Sequence, residues 1–164
     1  KVIHAFKALE ARDWHLHVVG TGSEEPSLKI LAADLGLSHR ITFHGMIDPK
    51  TILPAVEVGI LYSNEEAFGT AIIEYMAHGC AVIASRTGGA QEIFEECQGT
   101  FGRLISISDT GELIEALKES IEQPQQVAHW GATSYDEGAR HFSTTVSFNK
   151  ANRFLMSLTS PENN

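Results

Sequence analysis

The feature that most limits the fold is a strand–helix–strand run in the middle of the chain. Val58-Gly59-Ile60-Leu61-Tyr62-Ser63 and Ala81-Val82-Ile83-Ala84-Ser85 are short, nearly continuous apolar runs. Such runs suit strands buried on both faces of a parallel sheet. Between them one helix starts near Phe68 or Gly69 and stops at Gly79, a residue type that accepts the left-handed backbone of a helix end. Two strands joined in this way imply an α/β fold with helices on both faces of the sheet.

The rest of the chain extends the pattern. Val2, Ile3, Phe6 and Leu9 recur at helical spacing over residues 1–11. No capping residue precedes this helix, which fits a piece of a larger protein. A strand over 15–19 leads to Gly20-Thr21-Gly22, and a helix carrying Leu28, Leu31, Ala32 and Leu35 stops at Gly36. A strand over 40–44 ends at Gly45, and a short helix is expected over 49–56. A helix opens near Ala90, and 101–107 reads as the fifth strand. Asp109 with Glu112 three residues on resembles a capping box. Residues 124–158 read as two terminal helices with a break near Ser143, and 159–164 as a frayed tail. The 164 residues are thus read as a single domain. Four loops, at 20–22, 44–46, 63–69 and 87–89, follow strands and point at one edge, where open α/β sheets bind ligands.

The central helix sorts its residues. Ile72, Ile73 and Met76 fall on one side; Thr70, Glu74, Ala77 and His78 fall on the other. Glu66 lies on the loop that enters the helix. Two carboxylates therefore flank a helix N-terminus, where unpaired N–H groups and the helix dipole favour an anion. A phosphate is expected at the N–H groups of Gly69 and Thr70, with the carboxylates accepting from hydroxyls. The plainer reading is that Glu66 fronts the helix dipole and Glu74 is only solvated.

Charge narrows the partners. A formal net charge of -9 argues against a nucleic-acid or anionic-membrane surface. Cys80 and Cys97 lack disulfide or metal spacing, and the eight histidines are scattered, so a reducing compartment and no bound metal are expected. No signal peptide or membrane-spanning run is evident, which makes a cytoplasmic location the expectation.

Glu66 and Glu74 with seven residues between them, Phe68-Gly69 after the first, and Met76-Ala77 then Gly79 after the second, resemble the sugar-nucleotide-dependent retaining glycosyltransferases of the GT-B fold. The resemblance runs from about Val2 to Leu158. It implies one Rossmann-like half of that fold, the C-terminal donor-binding domain, lacking its first strand. Gly20 and Gly22 match the family's glycine turn near the donor. His44, Gly45, Met46 and Ile47 match the segment whose backbone lies against the nucleobase. Phe68, Gly69 and Thr70 match the turn that meets phosphate and sugar. Glu74 matches the glutamate that binds both ribose hydroxyls, and Glu66 the catalytic-site glutamate that approaches the donor sugar. The resemblance implies a nucleoside-diphosphate sugar as donor substrate and no cofactor.

Some positions depart from the pattern. Ala81 and Gln91 stand where the family has or often has Pro, and Tyr75 stands where it has Ala, so that crowding of Glu74 is expected. The Arg and Lys that clamp the diphosphate fall before Lys1. The N-terminal acceptor domain, a further partner and a route to peripheral membrane attachment, is also outside the chain. The sequence alone is therefore expected to lack transfer activity and to self-associate through an uncovered sheet edge. A non-catalytic nucleotide-sugar-binding module is the alternative. A dinucleotide-dependent oxidoreductase fits poorly, because no glycine-rich turn opens a helix with an acidic residue about 20 positions on.

Overall fold

The computed structural model describes residues 1–146. Five strands alternate with helices. β1 (Leu16–Val19) and β2 (Ile41–Gly45) form one parallel pair, while β3 (Val58–Leu61), β4 (Ala81–Ser85) and β5 (Gly102–Ile105) form a second parallel sheet in that order. The expected strands are all present, but they make two sheets, with β1 and β3 on facing edges. Leu16 pairs with Ile41, Val58 with Ala81 and Val82 with Gly102.

The strand period of two distributes the core. On β4, Val82 and Ala84 face α3 (Thr70–Ala77) and α4 (Gly88–Glu96), meeting Ile72, Met76, Ile93 and Phe94. Ile83 faces the other way, onto Ala5 and Phe6 of α1 (Val2–Ala8) and Leu113 and Leu117 of α5 (Thr110–Glu122). All five β4 residues are buried, as a central strand requires. Leu16, Val18, Ile41 and Phe43 form a separate cluster with Ile3 of α1 and Leu28, Leu31 and Ala32 of α2 (Glu25–Asp34). α6 (Pro124–Phe142) lies over the amino edge of the second sheet, where Trp130 packs with Ala81. Close approach there depends on Gly131, since a Cβ at this position would lie 2.4 Å from the Gly79 carbonyl oxygen.

Three local expectations are corrected. The helix over 1–11 stops at Ala8, because the following carbonyls are taken by side chains. Trp14 Nε1 donates to Leu9 O at 2.9 Å, and the Arg40 guanidinium donates to Glu10, Arg12 and Trp14 carbonyls at 2.7–3.0 Å. Residues 49–56 make two short 3₁₀ turns, Pro49–Thr51 and Leu53–Ala55, in place of one helix. Pro54 has no N–H to continue an α-helical ladder. At α5, Asp109 caps the N–H groups of Gly111 and Glu112, but the Glu112 carboxylate reaches Ser106 N (2.8 Å) and the reciprocal half of a capping box is not made. α6 ends at Phe142 and Ser143 is extended, which is the expected break; residues 144–146 are helical again, and the remainder of the second terminal helix and the frayed tail lie outside the described residues.

Candidate functional site

Chain order reverses between the two sheets: β1 leads outward to β2, while β3 leads the opposite way to β4 and β5. A reversal of this kind opens a crevice at the carboxyl ends of the strands. The residues singled out from the sequence fall into two groups at those ends.

The first group follows β1 and β2. The Gly20 N–H donates to Gly45 O at 2.8 Å, which joins the two turns. Gly45 has a φ of 67°, and a Cβ there would meet only the Thr21 methyl, at 3.9 Å. Met46 is 77% exposed, so its side chain is not part of the core. The His44 ring turns back along the sheet and hydrogen-bonds His17, Nε2 to Nδ1, at 2.9 Å.

The second group is built on Ser85, which is 1% exposed. Its hydroxyl donates to Ser63 O at 2.6 Å and accepts from Ser63 N at 2.9 Å, fixing the chain as it leaves β3. The loop then folds onto the turn that opens α4. The Gly89 N–H donates to Glu66 O at 2.9 Å, and a Cβ on Gly89 would lie 2.7 Å from the Phe68 carbonyl carbon. Gly69 sits in the left-handed region with a φ of 66°, and a Cβ there would lie 2.7 Å from Ile93 Cδ1. Both glycines are thus required by close packing of one loop on the other. Phe68 is 79% exposed, so its ring is not part of the core.

Glu66 is engaged in this loop. Its Oε1 accepts the Gly69 N–H at 3.0 Å and the Phe68 N–H at 3.3 Å. The expectation that the Gly69 N–H reaches out to an anion is corrected, because this donor is turned onto the protein's own carboxylate. The next N–H groups, of Thr70 and Ala71, head the helix, and Ile72 is the first whose N–H folds back, onto Gly69 O at 2.9 Å. Thr70 and Glu74 are exposed on the outer side of α3, opposite the fully buried Ile72 and Met76, as the helical period predicts. Of the two carboxylates, Glu66 thus fronts the helix entry, and Glu74, one turn in, is exposed to solvent.

Tyr75 does not crowd Glu74. Its ring fills the space left by Gly59, where a Cβ would come within 2.3 Å of the ring, and its hydroxyl donates to Ile60 O at 3.3 Å. Burial, followed by the nearby Glu74 and Cys80, pushes the phenol up to about 12, so it stays a protonated donor.

Sequence reading missed one cluster. Donor atoms of Cys97, Glu137 and His141 come within 4.8 Å of one another where α6 crosses the end of α4. The His141 ring lies within hydrogen-bonding reach of the Glu96 carboxylate at 3.0 Å and of the Glu137 carboxylate at 3.2 Å, and contacts between these side chains account for the arrangement. The separation of about forty residues carries no local signal. Among the described residues no helix is long and apolar enough to cross a membrane.

Comparison with known proteins places this architecture. The lipopolysaccharide core biosynthesis glycosyltransferase LpsE of Rhizobium meliloti is 34% identical over 110 residues, covering 66% of this chain and 31% of the relative. HepE of Anabaena, solved in complex with UDP and glucose, superposes with a TM-score of 0.80 at 25% identity, over 95% of this chain and 44% of that one. A glycosyltransferase from Rickettsia africae has the same fold, with a TM-score of 0.84 at 24% identity, over 98% of this chain and 44% of its own. This chain thus spans less than half the length of these relatives and corresponds to one half of a GT-B architecture. The model of the family described as glycosyl transferases group 1 matches residues 2–123, and the chain belongs to that family.

Proposed function

We propose that this chain is the donor-binding half of a retaining, metal-independent glycosyltransferase that takes a nucleoside-diphosphate sugar. The observation that carries this reading is the open N-terminus of α3 at the chain-reversal crevice, with exposed Glu74 one turn behind it and Glu66 folded over its entry. A carboxylate is an acceptor-only group that can take two hydroxyls together. Glu74 then holds the ribose hydroxyls. The N–H groups of Thr70 and Ala71 meet the distal phosphate, helped by the positive end of the helix. The backbone of Gly45, Met46 and Ile47 lies along the nucleobase, and Gly20 and Gly22 allow the turn beside it to approach the donor. Glu66 reaches the donor sugar, while its bonds to Phe68 and Gly69 hold the turn in place.

Departure of the nucleoside diphosphate needs positive potential rather than a metal in this scheme, and the helix terminus supplies part of it. UDP in the Anabaena relative supports a nucleoside diphosphate as the ligand class. Acceptor and donor must be held together for transfer, and the acceptor wall belongs to the portion of the relatives that this chain does not span. The chain by itself is therefore a binding unit without transferase activity.

Calorimetry with UDP, GDP, UDP-glucose and NAD tests the proposal. Binding of a nucleoside diphosphate and its sugar conjugate, unaffected by EDTA and without binding of NAD, is expected. A strict magnesium or manganese requirement, or preference for NAD, would defeat it.

A further inference from the structure

α6 lays two of its side chains against the end of α4. Glu137 and His141 stand one turn apart on the same face of α6, and Cys97, 1% exposed, is the residue that ends α4. A carboxylate oxygen, a ring nitrogen and the thiol sulfur of these three come within 4.8 Å of one another. We propose that Cys97, Glu137 and His141 bind one zinc ion, which clamps the end of α6 to α4, with Glu96 orienting the histidine.

Three observations support this ion and this assignment of atoms. First, the donor set has the right softness. A thiolate and an imidazole favour zinc, whereas magnesium and calcium take oxygen ligands. Second, the spacing fits. A tetrahedral zinc, with bonds of about 2.0–2.1 Å to N and O and about 2.3 Å to S, holds its ligand atoms about 3.3–3.6 Å apart. His141 Nε2 and Glu137 Oε2 already stand at 3.2 Å, so the sulfur needs only a small side-chain movement to complete the set. Third, the outer contacts are those that orient metal ligands. His141 Nδ1 faces Glu96 Oε1 at 3.0 Å, and the Arg140 guanidinium holds the other Glu137 oxygen, Oε1. With its Nδ1–H given to Glu96, the imidazole turns Nε2 towards Oε2 and the ion.

The contacts among these side chains keep the cluster together without the ion. Binding then replaces protons: as the Zn–S and Zn–N bonds form, the thiol proton, and any proton on Nε2, pass to solvent. Glu137 and His141 are partly buried and Glu96 is exposed, so the Glu96 side is the way in and leaves the fourth position to water. The site is remote from the crevice. α4 opens beside the Glu66 loop at the carboxyl ends of the strands and carries Cys97 to the opposite, amino edge of the sheet. The zinc therefore braces the fold, and the inference does not depend on the identity of the nucleotide.

Cobalt is the spectroscopic probe. The reduced, EDTA-treated 164-residue chain is titrated with Co²⁺ and then with Zn²⁺, and thermal melting is read with Zn²⁺ and with Mg²⁺. One equivalent of cobalt is expected to give a thiolate-to-cobalt charge-transfer band and the strong visible bands of a four-coordinate ion. One equivalent of zinc is expected to remove both. Zinc is expected to raise Tm, and magnesium is not. Cys97→Ser is expected to lose the charge-transfer band. Glu137→Gln and His141→Gln alter side chains outside the core, and each is expected to weaken binding at least tenfold and to abolish the gain in Tm. Glu96→Ala is expected to weaken binding about tenfold with the charge-transfer band retained. His17→Gln, which dismantles the close pair with His44, is expected to change nothing. Absence of binding at one equivalent, a cobalt spectrum without the thiolate band, or binding kept in His141→Gln and lost in His17→Gln would overturn the proposal.

Discussion

The Glu66 carboxylate bonds the N–H of Gly69, three residues on, at 3.0 Å, and so closes the loop at whose end α3 begins. One side chain therefore shapes the turn and, in the proposed reading, also reaches the donor sugar. The two roles separate by substitution. Glu66→Gln keeps an amide oxygen to accept the Phe68 and Gly69 N–H groups, so the melting temperature is expected to stay within a few degrees. Affinity for the bare nucleoside diphosphate stays near that of the parent, while affinity for the sugar nucleotide falls. Glu66→Ala removes the acceptor altogether and is expected to cost about 1–2 kcal/mol of stability, in the range of a lost helix cap. Calorimetry with the two ligands and a denaturant melt check this; equal losses for both ligands in Glu66→Gln would remove the sugar contact from the assignment.

Glu74 makes the cleaner nucleotide probe, because it is exposed on the outer side of α3 and the core side is filled by Ile72 and Met76. Charge-assisted hydrogen bonds are worth about 1.5–3 kcal/mol. Glu74→Gln is therefore expected to raise the Kd for UDP or GDP about tenfold or more, with an unchanged melt. An unaltered Kd would place the ribose elsewhere.

Gly89 couples the two loops that face the crevice. A methyl group there meets backbone atoms of Ala67 and Phe68 at 2.8 and 2.7 Å, which no rotamer change relieves. Gly89→Ala is expected to destabilise the domain by about 1–3 kcal/mol through overpacking. By displacing the Phe68–Gly69 turn it should also weaken nucleotide binding in protein that remains folded. Urea unfolding together with calorimetry measures the two effects. An unchanged Cm would show that the loop yields without cost.

His17 introduces a pH dependence. Burial comes first, then the like charges of His15 and His44, and together they hold its ring below the ordinary histidine range in the folded state. The unfolded chain consequently binds the proton more readily. The stabilising contribution is present above about pH 6.5, the ordinary histidine pKa, and is lost as pH falls through the lower folded value. His17→Gln is expected to flatten the fall in Tm between about pH 7 and 5 relative to the parent. Identical slopes for both proteins would assign the acid sensitivity to other groups. His17 is largely exposed, so solvent screening keeps the effect small.

Much of this protein was legible in its sequence, for a local reason. β4 is apolar from Ala81 to Ala84 because both of its faces are covered, and β3 carries a similar run. α3 shows its two sides because residues three and four apart share a face. Glu66 and Glu74, the Gly69 turn and the alternation of strands with helices are all properties of short windows. Side-chain geometry and long-range contact decided the rest. Whether the Gly69 N–H points outward or onto Glu66 depends on a carboxylate rotamer and a left-handed turn held down by Gly89 and Ile93. Tyr75 could be judged a neighbour of Glu74 by number alone, but Gly59 of another strand supplies the space that draws its ring inward. The gap between β1 and β3 is likewise invisible in either strand, since each reads as a normal buried strand. The resemblance led to the expectation of an uncovered edge, but which strand edges face each other unpaired is decided by the tertiary arrangement, because backbone pairing between strands is set by topology and not by the residues that carry it.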